Sequence, residues 1–226
     1  MRMLAASSTN HYRTMTEIAV QRLREAIVTG ELKAGTRLIP TRLEQEMNLS
    51  RVSIREALRE MSGMGLVVSL PNKGAIVSDP PSLEEIVEIF EIRFLLEGKA
   101  AEVATNVIEN KALEYLESLH REMSEKTVTP RDYFLLNREF HMRLYHDSKM
   151  NHLCQIIDQM MDKVHSFRSR YQFRDTDYRI FNQEHEGIIE ALTQRDEKQV
   201  KERVVANVRS GLDTLMRVYR IASEEK

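Results

Sequence analysis

One cysteine, Cys154, stands among 226 residues. No intrachain disulfide can form, and the chain suits a reducing compartment. No apolar run approaches the roughly 18 residues needed to cross a bilayer. No apolar h-region stands near the N-terminus, so a secretory signal is not expected. Together these absences predict a cytoplasmic protein with no membrane partner. A nucleophile–base–orienter set, a glycine-rich phosphate loop and a redox motif are all missing. Neither sign of charge dominates, since the formal net charge is −2, which argues against indiscriminate nucleic-acid binding. Glycine is scarce in the later part of the chain. Beyond residue 82 there are Gly98, Gly187 and Gly211, and no strand alternation accompanies them.

What is present suits a soluble globular protein: 42% hydrophobic and 30% charged residues. The length favours two domains. Residues 1–80 carry 11 Lys and Arg against 8 Asp and Glu, and the remainder carries 22 against 27. The first part is therefore mildly basic, as a local DNA-binding patch requires.

Residues 1–13 read as a flexible tail. Thr14 and Glu17 form a capping box, and Ile18, Leu23, Ile27 and Val28 carry a helix to about Thr29. Gly30 suits a left-handed helix end. Thr41 and Glu44 form a second capping box before a short helix with Leu43 and Met47 on its apolar side. Asn48 suits the turn that follows. Ser50 is an N-cap, and Ile54, Leu58 and Met61 share one face of the next helix, with Ala57 beside them. Arg51, Ser53, Arg55 and Arg59 fall largely off that face. Two short helices, a tight turn and an arginine-rich outer surface make a helix-turn-helix. Residues 66–70 and 75–77 are β-rich around the turn Pro71-Asn72-Lys73-Gly74, which predicts a hairpin wing. Duplex DNA is the partner this pattern fits. Its expected contacts are Thr41, Arg42, Arg51, Ser53, Arg55 and Arg59, with Lys73 and Gly74 at the wing tip. The bland alternatives are a helix pair with solvated charges and, at Lys73 and Gly74, plain turn chemistry.

Residues 14–78 thus form a winged helix-turn-helix of three helices and a hairpin, and residues 79–82, with Pro80 and Pro81, form a linker. Ser82 and Glu85 make a capping box that opens a helical domain over 83–222. Helical spacing gives segments at about 82–107, 110–126, 130–147, 149–172, 176–194 and 196–222. Thr129 precedes Pro130 as an N-cap before proline at the first helical position, and Asp196 caps the last helix with Gln199 three residues on. The expected fold is mainly α, an antiparallel bundle of six or seven helices behind the winged unit. Cys154 sits beside Leu153, Ile156 and Ile157 as a buried thiol. The basic and aromatic run 167–174 reads as a helix end and loop.

Four polar residues interrupt the apolar stripes of the bundle. Asn137 and His141 lie four apart on one helix. His185 lies among Phe181, Ile188 and Leu192, and Asn207 among Val200, Val204 and Gly211. Burying such groups alone costs on the order of 1–3 kcal/mol each. They must meet each other, water, a ligand or a metal. Arg93 and Glu97 share the stripe of Ile86, Phe90 and Ala100. Arg93 either pairs with Glu97 or receives an effector carboxylate in bidentate fashion. The expected effector set is Arg93, Asn137, His141, His185 and Asn207.

The chain as a whole resembles transcriptional regulators of the GntR family in the FadR-type branch, whose C-terminal helical domain is the FCD domain. The resemblance covers about residues 14–220. It rests on residues 32–38, the stretch Leu49 to Leu58, and Gly65-Leu66-Val67 running into the wing. In the second domain it rests on Arg93 to Glu97 with Ala100 and Ala101, on Asn137 to His141, and on His185, Ile188, Ala191, Leu192 and Asp196. It implies a homodimeric repressor that holds a pseudo-palindromic operator and answers to a small metabolite, with the first bundle helix pairing the subunits. It also implies a metal cage of one carboxylate and three histidines. This chain departs from that cage twice, with Asn137 in place of the Asp and Asn207 in place of the third His. His141 and His185 remain candidate ligands for Zn or Ni, with Asn137 and Asn207 as weak ones. A rival class is a metal-dependent, hydrolase-like helical protein with an accessory nucleic-acid-binding domain.

Overall fold

The computed structural model describes residues 14–125 and 127–224. The expected tail, residues 1–13, lies outside the described residues, as does Lys126 at the end of the segment expected over 110–126. The chain forms two compact units that change over between Asp79 and Pro80, with Val28–Gly30 grouped with the second.

The first unit holds helices α1 (Met15–Val28), α2 (Pro40–Met47) and α3 (Arg51–Gly63) and strands β1 (Arg37–Leu38), β2 (Val67–Leu70) and β3 (Gly74–Val77). The box at α1 is reciprocal: Glu17 N donates to Thr14 Oγ1 at 3.1 Å, and Thr14 N donates to Glu17 Oε2 at 2.7 Å. Gly30 takes φ +77° just past α1. Ser50 caps α3, its Oγ accepting from Ser53 N at 3.1 Å, and Asn48 turns the chain before it at φ 53°.

The box expected at Thr41 and Glu44 does not form. The helix starts one residue earlier, at Pro40, with Ile39 as an N-cap that makes no side-chain bond. Proline has its φ already set for the first helical position and has no amide to satisfy there. Glu44 turns instead to Arg51.

A common core joins Leu23 and Ile27 of α1, Leu43 of α2, Ile54, Ala57, Leu58 and Met61 of α3, and Leu38, Val67, Ala75 and Val77 of the strands. Ile54 and Met61 have no exposed surface. Each such side chain stabilises the fold by about 1.5–3 kcal/mol relative to leaving it in water.

The wing is the two antiparallel strands β2 and β3, and β1 adds a third on the far side of β3. The sequence does not reveal β1, because two residues are too few to display alternation. Gly74 takes φ +89°, and a Cβ there would run into the carbonyl of Leu38 and stand 2.8 Å from Pro40 Cδ. The close approach of β1 therefore requires glycine at this position.

The second unit has six helices among the described residues: α4 (Leu83–Thr105), α5 (Asn110–Met123), α6 (Pro130–Asp147), α7 (Asn151–Arg168), α8 (Asp175–Thr193) and α9 (Glu197–Glu224). α4 packs against α6, α7 and α9, α5 against α6 and α8, and α8 against α9. The caps expected at Ser82, Thr129 and Asp196 all form. α7 stops four residues short of the expected 172, where Ser169 N bonds back to His165 O and Arg170 Nε donates to the carbonyl of Phe167. The basic, aromatic run then connects α7 to α8. Cys154 is buried, with its Sγ 3.3 Å from Tyr145 O. Among the described residues no helix is long and apolar enough to cross a membrane.

Candidate functional site

In the first unit, β1, α2, α3 and the wing turn frame a concavity of about 710 Å³. Arg37, Arg51, Arg55, Arg59 and Lys73 line it, and no carboxylate does. Thr41 and Gly74 complete the overlap with the expected contacts. Arg42 and Ser53 do not line it. Arg42 Nε donates to Glu46 Oε1 at 2.6 Å, one turn along the exposed side of α2, and Ser53 Oγ stands 2.9 Å from Ser50 Oγ at the cap. Arg37 is the addition: β1 carries it to the wing, and sequence spacing alone gives no sign of that. Arg51 is held by Glu44, whereas Arg55 and Arg59 are exposed and enter no ion pair among the described residues. A surface with only cations on its walls is suited to phosphate oxygens and guanine edges.

In the second unit α4, α6, α7, α8 and α9 line a cavity of about 40 Å³, room for roughly three water-sized groups. Of the expected set, Arg93, Asn137, His141 and Asn207 line it. His185 lies behind His141, the two Nε2 atoms 3.3 Å apart. These residues belong to a buried chain of hydrogen bonds. Arg93 Nε donates to Glu97 Oε1 at 2.5 Å, Tyr145 Oη donates to Glu97 Oε2 at 2.6 Å, and His141 Nδ1 lies 3.0 Å from Tyr145 Oη.

The order of protons follows from the network. Tyr145 spends its proton on Glu97 and accepts from His141 Nδ1–H. His141 Nε2 then carries a lone pair and accepts from His185 Nε2–H, which leaves His185 Nδ1 buried without a partner. Burial pushes His141 down to about 4, against a weaker upward pull from Glu97. Burial, and then His141 and His120, push His185 well below its ordinary value. Both rings are neutral at pH 7. Burial also drives the Tyr145 hydroxyl upward, reinforced by Glu97.

Asn207 Nδ2 donates to Glu184 Oε2 at 2.8 Å. Asn137 is half-buried and makes no side-chain hydrogen bond among the described residues. Tyr145 was within reach of sequence reasoning, since it stands four residues past His141 on the same face. Glu184 was not, because its partner arrives from α9.

The cavity also holds a cation of another kind. Arg168, at the end of α7, lies 3.5 Å over the ring of Phe134 and 4.2 Å over that of Phe173. Its Nε and Nη2 are buried without hydrogen-bond partners. Burial pulls its guanidinium down to about 9, well below its ordinary value. Cation–π contact contributes about 2 kcal/mol when desolvated, which offsets part of the cost of burying the charge.

The residues fit a resident metal only in part. Two Zn–N bonds of about 2.0–2.1 Å at a tetrahedral angle set their nitrogens roughly 3.3 Å apart, which is the spacing of the two Nε2 atoms. A ligating histidine normally donates its other N–H to an acceptor. His141 has one in Tyr145, and His185 has none. Among the described residues no three His, Cys, Asp or Glu side chains converge to hold an ion.

Comparison with known proteins bears on both units. Residues 15–77 match the bacterial regulatory proteins of the gntR family, and residues 88–210 match the FCD domain. The HTH-type transcriptional regulator YdhC of Bacillus subtilis is 26% identical over 206 residues, covering 89% of this chain and 91% of its own. The Nta operon transcriptional regulator of Aminobacter aminovorans is 23% identical over 200 residues, covering 88% and 93%. The solved structure of E. coli McbR/YncC superposes with a TM-score of 0.82 at 21% identity, over 92% of this chain and 99% of that one. At that identity the structural likeness speaks for the fold.

Proposed function

The chain belongs to the gntR family of bacterial regulatory proteins and carries an FCD domain, and from that premise we propose a homodimeric repressor that a small anionic metabolite releases from its operator. As a DNA-binding regulator it falls outside the enzyme class considered above. The observation that carries the contact assignment is the concavity walled by Arg37, Arg51, Arg55, Arg59 and Lys73 with no opposing carboxylate. α3 enters the major groove, where Arg51 and Arg55 read base edges, and the wing lays Lys73 against phosphate. The repressor sense rests on the family resemblance. The effector lies in the cavity of the helical unit, beside Arg93, Asn137, His141 and Asn207, with His185 supporting His141 from behind.

The limited contact area of one winged unit supports the dimeric reading. Ile92 and Leu95 support α4 as the paired helix. They are 42% and 74% exposed on one face of a helix whose other side is buried. A cytoplasmic setting goes with the single buried thiol.

Selection from a random duplex pool, followed by fluorescence anisotropy, tests the reading. The enriched site is a two-fold repeat, and light scattering gives a dimer at micromolar concentration. Lys73→Ala weakens binding to all sequences and flattens the salt dependence by about one unit of slope. Failure to enrich any sequence, or a Leu95→Glu protein that stays dimeric, counts against the corresponding part.

A further inference from the structure

The structure assigns the effector's charged end to Arg168, as a side-on receptor for a monocarboxylate. The assignment rests on the reading that the helical unit binds an effector, and it names a different cation from the one the sequence favours. Arg93 is already engaged. Its Nε is 2.5 Å from Glu97, a carboxylate with no exposure, so the pair adds no net charge to the cavity. His141 is neutral. The carboxylate nearest in effect to Arg168 is Asp177, which Arg217 Nη2 holds at 2.6 Å and the backbone N–H of Arg174 at 2.9 Å. Arg168 therefore brings to the cavity wall a positive charge that no carboxylate pairs with directly among the described residues.

The unpartnered atoms define the ligand further. Nε and Nη2 are the two nitrogens on one side of a guanidinium whose N–H bonds run parallel, and they match the two oxygens of a carboxylate. The rings of Phe134 and Phe173 hold the guanidinium plane without using its donors. Everything the guanidinium normally requires is thus supplied except an anion. A single unpaired cation suits a monoanion better than a dianion, and the planar fork selects a carboxylate over a spherical halide. Asn137, half-buried in the lining of the same cavity and free of side-chain hydrogen bonds among the described residues, is available to a second polar group of the ligand.

The test uses the full chain and sodium acetate as probe, against sodium phosphate and sodium chloride at matched ionic strength. Acetate at saturation raises the melting temperature of wild type by on the order of 5 °C, and chloride and phosphate do not. Arg168→Met abolishes the rise. In chloride it melts no lower than wild type, because it removes a buried charge that has no partner. Arg168→Lys keeps the charge without the fork and lowers acetate affinity by on the order of tenfold, so the proposal stays testable if the methionine variant fails to fold. Four results overturn it: no acetate response in wild type, a full response in Arg168→Lys or Arg168→Met, loss of the response in Arg93→Met alone, or a response to phosphate in place of acetate. Operator binding is measured separately. A chain that binds acetate through Arg168 but enriches no DNA sequence would remove the regulatory reading and leave this one standing.

Discussion

Arg51 Nε and Nη2 both stand 2.9 Å from one oxygen of Glu44. The first arginine of α3 is thus held by the middle of α2 before any DNA arrives. The carboxylate orients the fork, and it also competes with a base or phosphate for it.

Two substitutions separate those roles. Arg51→Ala costs about 1–3 kcal/mol at the selected operator if the fork reads a base. Glu44→Gln removes a negative charge beside the DNA face, so it strengthens binding to unrelated duplexes more than to the operator and lowers the specificity ratio. Anisotropy titrations on both duplexes give that ratio. Unchanged operator binding in Arg51→Ala would reassign base reading to Arg55.

The Arg93–Glu97 pair is a matter of stability. Glu97 has no exposed surface, and its two oxygens are used by Arg93 and Tyr145. Arg93→Met leaves a buried carboxylate with one neutral donor, at a cost of about 3–5 kcal/mol. Adding Glu97→Gln recovers much of the loss. Chemical denaturation of the single and double variants checks this. A single variant as stable as wild type would mean that the pair contributes little.

The histidine pair makes stability depend on pH. The unfolded chain protonates His141 near 6.5 and the folded chain near 4. Between those values the unfolded state binds more protons, so stability rises with pH there. The contribution is fully present above about pH 6.5 and is lost as pH falls towards 4. For His141 the loss is roughly 3 kcal/mol. Urea unfolding from pH 7.5 to pH 4 measures it. His141→Gln gives a flatter profile, and an equally steep one would place the loss in other groups.

Metal affinity answers to the two amides. Asn137→Asp and Asn207→His together add a carboxylate and an imidazole around His141 and His185. They raise affinity for Zn or Ni by about tenfold or more. Isothermal titration on the double variant and wild type decides it. Equal affinities would mean that these positions do not converge on one ion.

Much of the fold was legible because its signals are local. Ser50, Ser82, Thr129 and Asp196 cap helices within three residues of themselves, and Ile54, Leu58 and Met61 need only helical spacing to find the core. The box at Thr41 misled because a proline one position earlier set the helix start. β1 was hidden by its length and by a partner that lies some forty residues on. In the bundle, three of the four polar residues at apolar positions, Asn137, His141 and Asn207, line the cavity. What the sequence could not give was the pairing inside it. Glu97 neutralises Arg93 from the same helix, while the rings around Arg168 come from α6 and from the segment after α7. Which of two buried cations is left with free donors depends on neighbours distant in the chain.

The small volume of the cavity in the helical unit also governs time. A carboxylate with more than one or two carbons overfills about 40 Å³. A longer ligand therefore needs the lining to give way, and of that lining Met161 yields most readily with its unbranched, rotatable chain. Association then has an opening step before capture. As ligand concentration rises, the observed rate levels off at the opening rate instead of climbing towards the diffusion limit. Motions of packed helices run on microseconds to milliseconds, so for the effector proposed above the delay before capture is set by the bundle wall once ligand is in excess.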